Sequence, residues 1–396
     1  MTTMQTGQAS RASGGGGTIA ATFCAIMGVV VAGAVMLTAI LTGCATVPPP
    51  VVEERLVWPA PPLTTRIEFV RSIVSEEDLS RDTTFGQELV NFLSGVKPPP
   101  NRIVEPMGLA VSANGERLYV SDIAQGAVFV FDFPSKKFTK IGAGERLAQP
   151  VGIALDADEN LYVVEQVKKG VTVFNREGKR LRFITHESLE RPTGVAVDSV
   201  RGKVYVADTA HTKSTRHTVK IFGLDGALLG EIGAERGNGP GKFSFPTYVS
   251  LDTSGNVYVT DTLNSRVQMF DAEGKYVKSF GSRGDGWGMF DKPKGVAVDS
   301  FGNVYIADSG WSNVQIFNPK GEVLMFFGGR GPIPGMLKNP TDVVIDKQNR
   351  IYVGDFLNHR VEMYRLVNTT ATDSFLTPLA DAKGVASRES KGNAAK

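Results

Sequence analysis

Arg236-Gly237, Arg283-Gly284 and Arg330-Gly331 recur at a spacing of 47 residues. Guanidinium groups at matched positions can clamp phosphates or carboxylates through paired N–H donors, provided the fold brings them to one surface. The competing reading has each arginine bridging to an aspartate of the neighbouring unit. Trp287 and Trp311, with Tyr248, Lys294 and Asp342, form a second set of candidates for a ligand or partner surface, since aromatic and charged groups anchor interfaces. The two tryptophans also suit a carbohydrate platform, or a gap between packed units. His211 and His217 share the stretch Thr209–Thr218 and are weak metal candidates, because a third ligand must come from elsewhere. No cofactor is therefore expected, with zinc or calcium as the alternative. Gly237-Asn-Gly239-Pro-Gly241-Lys242 looks like a phosphate loop but lacks the Ser or Thr after Lys and the helix that must follow. No Ser-His-Asp or paired-carboxylate constellation stands apart, and no catalytic residue is assigned.

The elements that must hold these residues come from one sentence written six times, beginning at Pro106, Pro150, Pro192, Pro246, Pro293 and Pro340. The fifth copy reads Pro293, Gly295-Val-Ala-Val-Asp299, Gly302-Asn-Val-Tyr-Ile-Ala-Asp308, then Val314-Gln-Ile-Phe317. A period of 42 to 54 residues signals a repeat architecture. Each copy holds short β-rich runs separated by turn residues, and the fourth shows four of them, which fits a propeller blade. No helical stretch of adequate length lies between strands, so a parallel βαβ unit is excluded. Asp122, Glu165, Asp208, Asp261, Asp308 and Asp355 close every second strand, and a feature present in all copies is architecture, accepting hydrogen bonds from turn amides. The repeat glycine of Pro-x-Gly gives way to Tyr248 and Asp342, whose neighbours Thr193, Thr247, Lys294 and Thr341 are expected near the mouth of a central channel.

The signature Asp-x-x-Asn-x-Arg-Val at Asp261–Val267 and Asp355–Val361 resembles the NHL repeat, from which copy five departs at Trp311. The resemblance implies an all-β, six-bladed NHL-type β-propeller over residues 64–367. The sixth copy lacks a fourth strand, and the lone run at about 66–73 is expected to supply it and close the ring, removing an exposed edge. A short amphipathic helix is expected at about 85–93, capping or plugging the ring. NHL-type propellers include a lyase that holds zinc with channel histidines. The four histidines here do not favour such a site.

Upstream, Thr18–Leu41 is apolar and uncharged and ends at Leu41-Thr-Gly-Cys44, which resembles the bacterial lipobox. The reading is a signal peptide over 1–43, lipidation at Cys44 and a proline-rich linker over 44–63; an uncleaved anchor and an ordinary secretory signal are the alternatives. Residues 368–396 read as a disordered tail. Without residues 1–43, whose only charge is Arg11, 42 basic face 41 acidic residues, so no net field draws the chain to nucleic acid. The expected function is that of a monomeric, lipid-anchored binding or scaffold protein of the bacterial cell envelope, at the outer membrane or periplasmic side in a Gram-negative cell. Its partner would be an envelope protein or an acidic or glycan polymer. The alternative is a metal-dependent lyase or hydrolase acting in the channel.

Overall fold

Blades two, four, five and six are locked at their first turn by side chains that the repeat supplies. In the fifth, Asp299 accepts from the amides of Phe301 and Asn303 at 2.8 Å each, and from the Asn303 amide group at 2.9 Å and the Tyr305 hydroxyl at 3.1 Å. The same lock joins Asp156, Asn160 and Tyr162, and again Asp252, Asn256 and Tyr258. Burial, then the Asp156 charge, pushes the Tyr162 phenol up to about 12, so it remains a donor at neutral pH.

A computed structural model describes residues 55–80, 85–94 and 101–370. The chain divides into compact units 1–53 and 54–396, and the described residues all fall in the second. The signal segment, Cys44, the linker through residue 54 and the tail beyond residue 370 lie outside the described residues.

Six antiparallel sheets follow one another as blades, with inner strands at Pro106–Val111, Pro150–Leu155, Pro192–Asp198, Pro246–Leu251, Pro293–Val298 and Pro340–Ile345. The core lies between sheets: Tyr205, Val219, Ile232 and Phe243 of one blade pack on Val249, Val257 and Phe270 of the next. The inner strands approach so closely that a Cβ on Gly108, Gly152 or Gly194 would fall 2.3, 2.5 or 2.7 Å from a carbonyl oxygen of the following blade. That spacing is why the repeat demands glycine there.

The fourth strand of the sixth sheet is Ile67–Ile73, paired with Arg360–Leu366 from Ile67↔Leu366 to Ile73↔Val361. One correction concerns the segment before it. Residues 44–63 are read from sequence as a linker throughout, but Val57–Trp58 form a fifth strand on that sheet, pairing with Glu68 and Ile67. The cause is aromatic packing, with the Trp58 ring 6.1 Å from Phe327 and 5.8 Å from Tyr364. The helix Phe85–Ser94 lies against the Ile67–Ile73 strand at the outer edge.

The ring has two faces. One carries the linkers that run from each outer strand to the next inner strand, together with the turns after each second strand; it is called the linker face below. The other carries the Asp-led hairpin turns.

Candidate functional site

The linkers before blades four, five and six share one construction. Arg236, Arg283 and Arg330 pair as parallel bridges with Phe243, Phe290 and Leu337, each of which is fully buried. The Gly237, Gly284 and Gly331 amides donate to the carbonyls of those same partners at 2.9, 3.3 and 3.0 Å. That backbone bond closes the base of each loop without using the arginine side chain, which is exposed. Because all three linkers join an outer strand to the next inner strand, the guanidinium groups fall on one face. None pairs with a carboxylate among the described residues. Arg236 donates to the Thr212 carbonyl at 3.0 Å and sits 5.3 Å over the Phe245 ring, and Arg330 donates to the Gly310 carbonyl at 2.9 Å. Arg283 has no hydrogen-bond or ion-pair partner among the described residues. The bridging to neighbouring aspartates weighed from sequence is replaced at Arg236 and Arg330 by a contact to a carbonyl, which leaves part of each fork free.

The signature residues explain how the loops are held. Asp261 accepts from the Ser244 amide at 2.6 Å, the Asn264 side chain at 2.8 Å and Arg266 at 2.9 Å. Arg266 in turn donates to the carbonyls of Asn238, Gly239 and Lys242. Asp308 does equivalent work for the amides of Asp291 and Lys292, and Asp208 for those of Glu190 and Arg191. The recurrent carboxylates are thus occupied by linker amides.

Trp311 is the informative departure. Asn264 and Asn358 donate to the Gly237 and Gly331 carbonyls at 2.8 and 2.9 Å, and the Trp311 indole N–H donates to the Gly284 carbonyl at 3.0 Å. The indole keeps the asparagine's bond and adds an aromatic surface that is 41% exposed. Trp287, 60% exposed, meets Phe326 edge-on at 5.2 Å. Gln315 fixes that loop by accepting from the Gly288 amide at 3.1 Å and donating to the Met289 carbonyl at 2.7 Å. Arg283, Trp287, Trp311, Phe326 and Arg330 therefore gather on the linker-face side of blade five. Phe326 and Met289 have no place in the sequence reading, although an outer strand reading Val-Leu-Met-Phe-Phe is more apolar than its counterparts. Lys213 and Arg216 are further members, on the inserted loop of blade three. With Arg236 they line an open hollow of about 980 Å³.

Tyr248 and Asp342 need a correction, for they are buried inside the ring and are not open to a partner at its mouth. The Tyr248 hydroxyl crosses from blade four to the opposite blade one and donates to the Met107 carbonyl at 2.8 Å. Asp342 accepts from the amides of Leu109 and Val343 at 2.8 Å each, tying blade six to blade one. Burial pushes its carboxyl up to about 8 despite those two donors, so it is neutral at pH 7. Burial, then Asp342, holds the Tyr248 phenol well above its ordinary range. Below them the inner strands line an open hollow of about 270 Å³ whose side chains are mainly Val, Ile, Leu and Ala, with Ser250 among them. Lys294, at the mouth, donates to Asn339 at 3.2 Å, and burial, then Lys292, lowers its ammonium to about 8.

The histidine pair does not converge. His217 is buried, its Nδ1 accepting from the Phe245 amide at 2.9 Å, while His211 is exposed. Burial, then Arg236, lowers the His217 pKa. Among the described residues no group of three or more His, Cys, Asp or Glu is placed to hold a metal.

Comparison with known proteins agrees with this architecture. The model of the NHL repeat matches residues 189–222, 290–317 and 337–362. The protein brain tumor of Drosophila melanogaster is 26% identical over 152 residues, 37% of this chain but 14% of that protein. Human NHL repeat-containing protein 3 is 32% identical over 103 residues, covering 26% of this chain and 28% of the other. The chain thus spans less than a third of either relative. Among solved structures, a gluconolactonase from Xanthomonas campestris superposes with a TM-score of 0.53 at 15% identity, over 76% of this chain and 89% of that one. A streptogramin B lyase gives 0.50 at 11% identity, over 67% and 94%. Likeness at such identities is one of fold.

Proposed function

We propose, from the premise of a six-bladed propeller of NHL repeats, that this chain is a binding module of the bacterial cell envelope, anchored by lipid at Cys44. It takes an acidic partner on the linker face. The observation that carries the reading is the repeated outward arginine at Arg236, Arg283 and Arg330, none of them paired with a carboxylate among the described residues, beside the exposed Trp287 and Trp311. A repeat that needed these arginines for its own packing would have buried them or given them carboxylate partners. Exposed guanidinium and indole groups side by side supply the charge-assisted hydrogen bonds and rigid apolar area that recognition requires.

The channel supports the same ranking. Tyr248 and Asp342 are spent on holding blades together, and the other side chains lining the hollow are aliphatic apart from Ser250. A metal-dependent lyase or hydrolase would need a converging donor set there, which the described residues do not offer. Crosslinking in membranes followed by affinity pull-down tests the reading. An acidic ligand, whether protein, polymer or anionic lipid, is expected to be recovered with the intact chain and not with Arg236→Ala/Arg283→Ala/Arg330→Ala. A partner retained unchanged by the triple variant would return the arginines to blade packing, and stoichiometric zinc or calcium in the purified chain would revive the enzyme.

A further inference from the structure

The sheet register shows which way the chain leaves the ring. Ile73 pairs with Val361, just after the turn that ends at His359 on the linker face, whereas Ile67 pairs with Leu366 at the opposite face. Val57–Trp58 run antiparallel to this strand, with Trp58 opposite Ile67. Followed backwards from Trp58 to Arg55, the chain therefore climbs toward the linker face. Leu56 there adjoins Gly335, in the very linker that carries Arg330. Residues 45–54 separate Arg55 from Cys44, and the eleven steps between them reach no further than about 40 Å in any conformation.

The charges of that corner are one-sided. The blade-three loop and the linkers before blades four to six expose Lys213, Arg236, Arg283, Lys292, Arg330 and Lys338. Their carboxylates are Glu235, which pairs with Lys242 at 2.8 Å, exposed Asp285 and half-buried Asp291. The chain is nearly neutral as a whole, so this local excess is invisible in its net charge. Trp287 and Trp311 stand among these cations, and tryptophan and arginine are the side chains that settle at a headgroup layer.

We infer that the acidic partner of the linker face is the anionic bilayer surface itself, with the blade four-to-six side of the ring resting on phosphate headgroups beside its own anchor. The inference rests on the lipid anchor proposed at Cys44. Exposed cations attract a charged surface only within a Debye length of about 8 Å in physiological salt, and each acts weakly. A short tether changes that balance, because it keeps the face close to the bilayer whatever the strength of each contact.

Tryptophan emission from the full chain in vesicles whose acyl chains carry bromine reads the contact, since bromine quenches only indoles that reach the bilayer. Vesicles of phosphatidylcholine are compared with vesicles of phosphatidylcholine and phosphatidylglycerol, and flotation is measured on the same samples. The expected result is quenching that requires phosphatidylglycerol, is lost at high salt and is lost in Arg236→Ala/Arg283→Ala/Arg330→Ala, with flotation unchanged throughout. Trp287→Phe/Trp311→Phe should abolish the quenching, leaving only Trp58 emission. Flotation without phosphatidylglycerol-dependent quenching overturns the docking and leaves the anchor standing, as does quenching that the triple variant retains. Failure to float overturns the anchor and the docking with it. Capture of a soluble acidic polymer or protein by the linker face in place of quenching also overturns it.

Discussion

The channel and the linker face both carry residues that stand out from the repeat, and the ring uses them in opposite ways. Tyr248 and Asp342 stand at the repeat position where, in blades one, two, three and five, a Cβ added to the glycine would fall within 3 Å of the next blade's backbone. A side chain there has to become part of the ring, and both do, through the Met107 carbonyl and the Leu109 amide. Arg236, Arg283 and Arg330 sit at the base of loops that backbone bonds and the signature side chains already hold, so their own side chains owe the fold little. Whether a conspicuous residue is available for binding depends on what lies beyond its Cβ, more than on its chemical type.

The largest effect that follows is on the channel side. Tyr248→Ala should cost about 3–5 kcal/mol, the range for truncating a buried aromatic, because it empties a site between blades and removes the bond across the axis. Tyr248→Phe keeps the ring and loses that bond alone, for about 1 kcal/mol. Urea unfolding of both variants measures the pair. Equal small losses would mean that the tyrosine does not brace the ring and that the contrast with the arginines is false.

Asp342→Gly restores the repeat residue and tests the same side by pH. The folded carboxyl, pushed by burial up to about 8, holds its proton over a range in which the unfolded chain, near 3.9, has released it. The native state therefore binds more protons than the unfolded state between those values. This group's contribution to stability is greatest below about pH 4 and falls as pH rises toward 8, by at most about 1.4 kcal/mol per pH unit. The glycine variant should lose this slope, while Asp355, pushed by burial up to about 7, leaves part of a similar one. Melting temperatures from pH 4 to 8 decide it, and parallel profiles for parent and variant would place Asp342 in contact with water.

How far these roles were legible in the sequence differs by position. Spacing and the Asp-Asn-Tyr turn composition gave away the blades, and the unpaired run before the first repeat identified the closing strand, because each signal is local or periodic. Trp311 was visible as a departure from Asn, but its bond to Gly284 required knowing which linker lies above the turn. Tyr248 carried no local sign of its partner, since Met107 is 141 residues away and opposite in the ring. Val57–Trp58 hid within a proline-rich stretch whose composition outweighed the one aromatic that docks it.

Trp311 lies between the two regions, since its N–H serves the ring and its indole faces solvent. Trp311→Ala should cost about 1 kcal/mol through the lost hydrogen bond, whereas Trp311→Asn, which restores the signature, should be close to neutral. Both remove the same aromatic surface. If binding to the acidic partner falls equally in the two while only one is destabilised, the surface and the structural duties of this residue are separable. A thermal melt beside a binding isotherm for each supplies the comparison.

The smallest expected effects belong to the arginines and are the sharpest test of the contrast. Arg283 has no partner among the described residues, so Arg283→Ala should change stability by less than about 0.5 kcal/mol. Arg330→Ala gives up one bond to an exposed carbonyl, and Arg236→Ala gives up a comparable bond and its stacking on Phe245. The order of loss should therefore run Arg236, Arg330, Arg283, with every value below about 1 kcal/mol. Binding should not follow that order, because an acidic surface senses the three charges as a set and its affinity should fall with each removal and with added salt. A stability loss at Arg283 as large as that at Tyr248 would show that the loops need their arginines. The linker face would then be as fully committed to holding the ring together as the channel is.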